Sequence, residues 1–191
     1  LKRGSSRAFL LTGPSGVGKT TLSRVMANEL GVEGGELLEV DGATNTGIED
    51  MRAVCTQLQY KPLAGSRKAI IVDEVHALSK AAIQSLLKSL EEPPAWLCWF
   101  LCTTEANRVL PTIKTRCITV ELNPVSRKVL LTHLEGIAEK EEMTVSDGVL
   151  KLCADSAGGS VRQAIANLAL CAELTSTKKA ARLLSEVSED G

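Results

Sequence analysis

Eight consecutive residues, Gly13-Pro14-Ser15-Gly16-Val17-Gly18-Lys19-Thr20, fit the pattern G-x-x-x-x-G-K-[ST] without a mismatch. A segment of this kind constrains the fold around it. Its glycines let the backbone turn so that successive N–H groups point at one anion, and the helix that follows adds the positive end of its dipole. It therefore needs a strand before it and a helix after it. Both are legible: Ala8–Thr12 is an apolar run of strand length, and Leu22, Val25, Met26 and Leu30 recur at helical spacing before Gly31.

The same alternation continues. Leu37–Asp41 reads as a second strand, and Ile48, Met51, Val54, Cys55 and Leu58 mark a second helix that ends by Pro62–Gly65. Lys68–Asp73 contains Ala69-Ile70-Ile71-Val72, the pattern of a strand buried on both faces. Ser79 is placed to cap a helix whose Ile83, Leu86, Leu87 and Leu90 form one stripe, and Pro93-Pro94 stops it. Trp96–Thr103 and Cys117–Leu122 supply the fourth and fifth strands. Strands alternating with helices predict an α/β doubly wound parallel sheet of five strands, with ligands at the carboxyl ends of the strands. After Asn123-Pro124 the pattern is helical only, with breaks at Thr144, Gly158-Gly159 and Thr175–Thr177. The expected organisation is a nucleotide-binding domain over residues 1–123 and a small all-α lid over 124–191.

Bulk properties narrow the function classes. Apolar residues make up 44% of the 191, enough for a core, yet no run is long enough to span a membrane. The net charge of −1 is not the basic footprint of a protein that grips nucleic acid alone. DNA contact would fall to a few local residues or to several subunits together. Six cysteines at 55, 98, 102, 117, 153 and 171 include no Cys-x-x-Cys pair, and with two histidines they read as reduced core residues, not zinc ligands. Residues Leu1–Arg7 are basic but lack the apolar stretch of a signal peptide, so the expected placement is cytoplasmic.

Several residues carry candidate chemistry. In the Gly-rich segment, residues 13 to 20 with Thr21 would hold the phosphates of ATP, Lys19 neutralising the β and γ groups and the Thr20 hydroxyl ligating Mg²⁺. Asp73 and Glu74 end the most apolar strand. An Asp there can hold the metal's shell, and the neighbouring Glu can orient and deprotonate water. Thr104 stands past the fourth strand, either as a hydrogen-bond donor to water or phosphate or as an ordinary strand-end residue. Arg116 and Arg162 are candidate cations for the developing charge, or solvated surface arginines. His76 in Asp-Glu-Val-His reads as a loop histidine, since no other helicase motif accompanies that box. Trp96 and Trp99 read as core or rim packing before base stacking, and Lys61, Lys80 and the Thr46-Gly47 helix start could meet DNA phosphates or be plain surface.

Asp73-Glu74-Val75-His76-Ala77-Leu78-Ser79, then Ser85 to Pro94 with its Leu-Glu-Glu-Pro-Pro, Thr103-Thr104 and Thr115-Arg116-Cys117 resemble AAA+ clamp-loader ATPases. The likeness is to the gamma/tau subunit of bacterial DNA polymerase III, with replication factor C small subunits as relatives, and runs from about residue 8 to 175. It implies metal and water chemistry at Asp73 and Glu74, a sensor at Thr104, an arginine at 116 that reaches a neighbour's ATP in trans, and a lid arginine at 162. It further implies ATP and Mg²⁺ as cofactors. The implied assembly is a ring-like pentamer of clamp-loader subunits that opens a sliding clamp and places it on primer-template DNA. Thr115 replaces the family's serine but keeps the hydroxyl. Gly31–Glu36 leaves no room for the zinc module of bacterial gamma/tau, so the resemblance is to a divergent member. Most of the family's upstream adenine-holding segment and the collar domain also lie outside these 191 residues. The expected function is ATP-driven clamp loading. Its rivals are another AAA+ DNA-processing ATPase, such as a Holliday-junction motor or helicase loader, and a nucleotide-binding assembly subunit without turnover.

Overall fold

A computed structural model describes residues 8–44 and 47–189, which form two compact units: residues 8–13 with 19–122, and residues 14–18 with 123–189. The first unit is built on strands β1 (Ala8–Thr12), β2 (Val32–Asp41), β3 (Arg67–Asp73), β4 (Leu97–Thr103) and β5 (Ile118–Glu121). All neighbours pair in parallel, in the order β2-β3-β4-β1-β5. Helices α1 (Lys19–Glu29), α2 (Ile48–Gln57), α3 (Lys80–Glu91) and the short α4 (Pro111–Lys114) connect them.

Alternation along the strands divides the core. Phe9, Leu11, Ile71, Phe100 and Cys102 share one face with Leu22, Met26 and Ala27 of α1, and the Phe9 and Phe100 rings stack at 5.3 Å. Leu10, Ile70, Val72, Leu97, Trp99 and Leu101 share the other with Met51, Ile83, Leu86 and Leu90. The sheet is thus buried on both sides, which is why β1 and β4 consist of buried residues throughout. Ser79 caps α3 as its position predicts, its Oγ accepting from the Ala82 N–H at 3.2 Å.

Four strands differ in their bounds from the sequence expectation: β3 begins one residue earlier, at Arg67, β5 is one residue shorter at each end, and β2 and β4 start elsewhere for visible reasons. The second strand begins at Val32 and not at Leu37, because its register with β3 shifts between those residues and a bulge across Gly34-Gly35 hides the periodicity. The fourth begins at Leu97, since Trp96 turns aside to donate its indole N–H to Leu58 O at 3.3 Å, under Lys61 Nζ.

The second unit packs α5 (Arg127–Lys140), α6 (Asp147–Asp155), α7 (Val161–Leu170) and α8 (Thr177–Glu189) around Leu130, Leu134, Val149, Cys153, Leu168 and Leu184. Buried Asn167 is satisfied by Cys153 O at 3.2 Å and Gln163 Nε2 at 2.9 Å. Backbone N–H groups of Val161 and Arg162, at the start of α7, donate to Gly16 O at 2.9 and 3.3 Å. All six cysteines are free. Burial, then the neighbouring Cys171, pushes the Cys153 thiol up to about 12. Among the described residues no helix is long and apolar enough to cross a membrane.

Candidate functional site

The strand order decides what meets. β3, β4 and β1 are adjacent and parallel, so the exits of all three lie side by side at one edge of the sheet. The β1 exit leads into the Gly-rich segment, the β3 exit carries Asp73 and Glu74, and the β4 exit carries Thr103 and Thr104.

At the first exit, Gly13 adopts φ 149°, and a Cβ there would collide with Leu122 O, so only glycine fits. Lys19 opens α1, is 6% exposed, and donates from Nζ to Gly13 O at 2.9 Å. That bond ties the start of α1 back to the residue that follows β1. Thr20 follows and donates from Oγ1 to Asp73 Oδ2 at 2.7 Å. Behind them Ser23, fully buried, donates to Lys19 O at 3.0 Å and lies 3.4 Å from Cys102 Sγ. Burial, the largest of several causes, pushes the Cys102 thiol up to about 11.

At the second exit the chain turns sharply. Glu74 sits at φ 46°, ψ 48°, a left-handed conformation uncommon outside glycine, and its N–H donates to Asp73 Oδ1 at 3.1 Å. Gly42 accommodates the turn: its N–H donates to Asp73 O at 2.7 Å, and a Cβ on it would lie 2.8 Å from the carbonyl oxygens of both Asp73 and Glu74. The Glu74 side chain reaches across to the third exit. Thr104 donates to Glu74 Oε2 from its backbone N–H at 3.1 Å and from its hydroxyl at 3.0 Å. Thr104 therefore holds the carboxylate itself, a contact that its sequence position does not announce.

His76 joins the same cluster. It lies in a 3₁₀ turn (Val75–Ala77), with its side chain 9% exposed. Nδ1 is 2.9 Å from Thr103 Oγ1 and 3.2 Å from Glu74 Oε2, while Nε2 is 2.9 Å from Glu105 Oε1. His76 lies in the connection between β3 and α3, as expected of a loop histidine, but it is nearly buried and its ring is surrounded by polar partners. The one sequence signal was its spacing in Asp-Glu-x-His. Gly42 and Ser23 carry no signal of their own in sequence.

Arg116, after α4, donates from Nη2 to Glu91 Oε1 of α3 at 2.6 Å and from Nη1 to Thr112 O at 2.8 Å. Arg162 is exposed on α7 in the unit that also holds residues 14–18. Pro14, Ser15 and Thr21 are exposed and Val17 is buried. Trp99 is fully buried, Lys61 and Lys80 are exposed, and Thr46 lies outside the described residues.

A chain with this geometry has known relatives. The family described as DNA polymerase III, delta subunit, matches residues 34–126. The DNA polymerase III subunit gamma of Buchnera aphidicola subsp. Acyrthosiphon pisum is 34% identical over 179 residues, covering 83% of this chain and 50% of the relative. The chain is similar in sequence to the polymerase III gamma and tau subunits. It spans half or less of the length of the gamma and tau proteins it matches. Among solved structures, the RuvB Holliday junction branch migration motor of Thermotoga maritima superposes with a TM-score of 0.77 at 23% identity, covering 94% of this chain and 61% of RuvB. A DNA polymerase III gamma subunit-related protein from the same organism gives 0.64 at 24%, covering 93% and 61%. Both likenesses show the fold, which is AAA+.

The donor set of this gamma/tau relative suits the group its fold implies. Thr20 Oγ1 and Asp73 Oδ2 are hard oxygens within 2.7 Å of one another, the ligand type that Mg²⁺ takes when it keeps most of its waters and bridges to phosphate. Glycine at positions 13, 16 and 18, all with positive φ, leaves the loop backbone able to approach a phosphate closely.

Proposed function

We propose that the chain is the ATP-hydrolysing part of a clamp-loader subunit, coupling ATP binding and hydrolysis to placing a sliding clamp on primed DNA. The observation that carries this reading is the Thr20–Asp73 contact at 2.7 Å with Glu74 held beside it, at the exits of three adjacent strands. Backbone N–H groups of Gly13 and of residues 15–18, with the Lys19 ammonium, bind and orient the triphosphate. Thr20 and Asp73 would hold Mg²⁺, which when bound offsets charge on the β- and γ-phosphates. Glu74 accepts a proton from water as its oxygen bonds to the γ-phosphorus and the bond to the β-phosphate oxygen breaks, leaving ADP and phosphate. A positioned general base of this type contributes about 10²–10⁴-fold.

Thr104 aims Glu74 in this scheme, and Arg162 is assigned to the nucleotide in cis. Arg116 is assigned to the neighbouring subunit's nucleotide in trans, so that turnover depends on assembly. Residues 1–123 are taken as the nucleotide-binding domain and 124–191 as its lid. The partners are other clamp-loader subunits in a ring-like pentamer, a sliding clamp and primer-template DNA, all in the cytoplasm at the replisome. Support for clamp loading over a branch-migration motor comes from the sequence relatives, since the likeness to RuvB is one of fold.

The test is ATP turnover by the full-length protein with its partner subunits, with and without a sliding clamp on primed DNA. Stimulation by clamp and primed DNA, abolished by Glu74→Gln while nucleotide binding persists and abolished together with binding by Lys19→Ala, is expected. Stimulation by a four-way junction in place of the clamp would establish the motor reading. Binding without turnover under every condition would establish an assembly subunit.

A further inference from the structure

His76 is a nearly buried, ionisable side chain of the cluster to which the hydrolytic scheme gives no task. Its location follows from the backbone. The left-handed Glu74 starts a 3₁₀ turn closed by Ala77 N–H to Glu74 O at 2.8 Å, and Val75, 1% exposed, anchors the turn in the core. The imidazole is thereby wedged between the exits of β3 and β4. Among the described residues, the polar groups closest to its ring nitrogens are Thr103 Oγ1 and Glu74 Oε2 at Nδ1, and Glu105 Oε1 at Nε2. Glu105 is in turn fixed by Arg108 Nη1 at 2.8 Å, and its backbone N–H donates to Thr103 Oγ1 at 3.0 Å.

An ionised carboxylate only accepts hydrogen bonds. With the proton on Nδ1, its N–H lies between Thr103 Oγ1 at 2.9 Å and Glu74 Oε2 at 3.2 Å, whereas a bare lone pair there would be repelled by the carboxylate. Thr104 donates twice to the same oxygen. With the proton on Nδ1, three donors from two strand exits converge on Oε2, and among the described residues none donates to Oε1. Holding one carboxylate oxygen in this way fixes the rotamer of a flexible side chain and leaves the other oxygen for proton transfer.

We propose that His76 is a positioning residue for Glu74: with Thr104 it holds Oε2, and Glu105, steadied by Arg108, aims the imidazole. The proposal rests on Glu74 being the base of ATP hydrolysis. Its role is the orientation of that base, not contact with the reacting atoms.

Amide substitutions separate the two ring nitrogens. Asparagine puts its N–H group near the place of Nδ1, and glutamine puts it near the place of Nε2. In the full-length protein with its partners, His76→Gln and His76→Ala are expected to lower kcat about tenfold or more, the scale of effect when a catalytic group is misplaced by a fraction of an ångström to an ångström. His76→Asn is expected to recover most of the loss, and ATP affinity to stay within about twofold in all three, since the phosphate loop is untouched. A second readout needs no turnover. The ring ¹⁵N resonances of His76 are assigned by their loss in His76→Ala, and Glu74→Gln is expected to shift Nδ1 while Glu105→Gln shifts Nε2. If the parent hydrolyses ATP and Glu74→Gln does not, yet His76→Gln turns over like the parent, the positioning role is wrong and the hydrolytic reading stands. An Nδ1 resonance indifferent to Glu74→Gln also overturns it. If Glu74→Gln turns over like the parent, the hydrolytic reading itself fails and takes the proposal with it.

Discussion

The left-handed backbone at Glu74 is a residue-scale cost, on the order of 1–3 kcal/mol for a non-glycine side chain, that the surrounding contacts must offset. Three of them are visible: the Glu74 N–H on Asp73 Oδ1, the Thr104 donors on Oε2, and the close approach of Gly42 beneath the turn. Gly42 is the position where this balance is most easily upset. Gly42→Ala pushes a methyl to 2.8 Å from two backbone oxygens, so the β3 exit must shift. Its expected cost is about 1–3 kcal/mol of stability, the usual range for overpacking, read by urea unfolding. Turnover should fall by more than nucleotide affinity does, because Lys19 and its loop are spared while Glu74 is displaced. Unchanged stability would show that the β3 exit yields at no cost.

At the scale of elements, caps and ties hold the strand-end loops in place. Ser79→Ala removes the acceptor for the Ala82 N–H at the start of α3 and is expected to cost about 0.5–2 kcal/mol in thermal or urea unfolding. Glu36 of β2 ties the segment that leads into β3, accepting from Leu63 N–H at 2.6 Å and Ala64 N–H at 3.3 Å, with Lys68 Nζ at 3.4 Å. The Leu63 N–H foremost, then Ala64 and Lys68, hold its carboxyl below the ordinary 4.5 against the opposing effect of burial. A depressed folded value means that the tie stabilises fully above pH 4.5 and is lost as pH falls through the lower folded value. Glu36→Gln should therefore unfold at a lower temperature than the parent at neutral pH, and the two melting curves should converge on acidification. A constant gap from neutral to acid pH would assign the effect to packing and not to charge.

For the whole molecule, the question is what Arg116 does when subunits meet. Its guanidinium is engaged by Glu91 and the Thr112 carbonyl, but the ion pair is solvent-accessible, with the side chains 33% and 51% exposed. A pair of this kind contributes about 0–1 kcal/mol, little enough for a triphosphate to displace it. Arg116→Ala should leave ATP affinity of the isolated protein unchanged, while turnover by the assembled complex drops about 10³-fold or more, the scale of an arginine supplied to a phosphoryl group. Loss of affinity in the isolated protein would place Arg116 in its own subunit's site instead.

Local pattern alone determined much about this chain. The phosphate-loop spacing, the apolar runs of β1, β3 and β4, the stripe and cap of α3 and the switch to all-helical sequence after residue 123 are set by neighbours within one or two turns, so they can be read along the chain. The doubly wound parallel sheet follows from them. Where local periodicity was interrupted, as at the Gly34-Gly35 bulge, the sequence reading missed the start of the strand. Only the tertiary structure decided which strand exits become neighbours, because parallel pairing joins segments far apart in sequence and leaves no local trace. Thr104 meets Glu74 across 30 positions, Thr20 meets Asp73 across 53, and Arg116 meets Glu91 across 25. His76 shows the difference most plainly. Its spacing from Asp73 was legible, but its place between two carboxylates exists only once β3 and β4 lie side by side and Glu74 turns through the left-handed region.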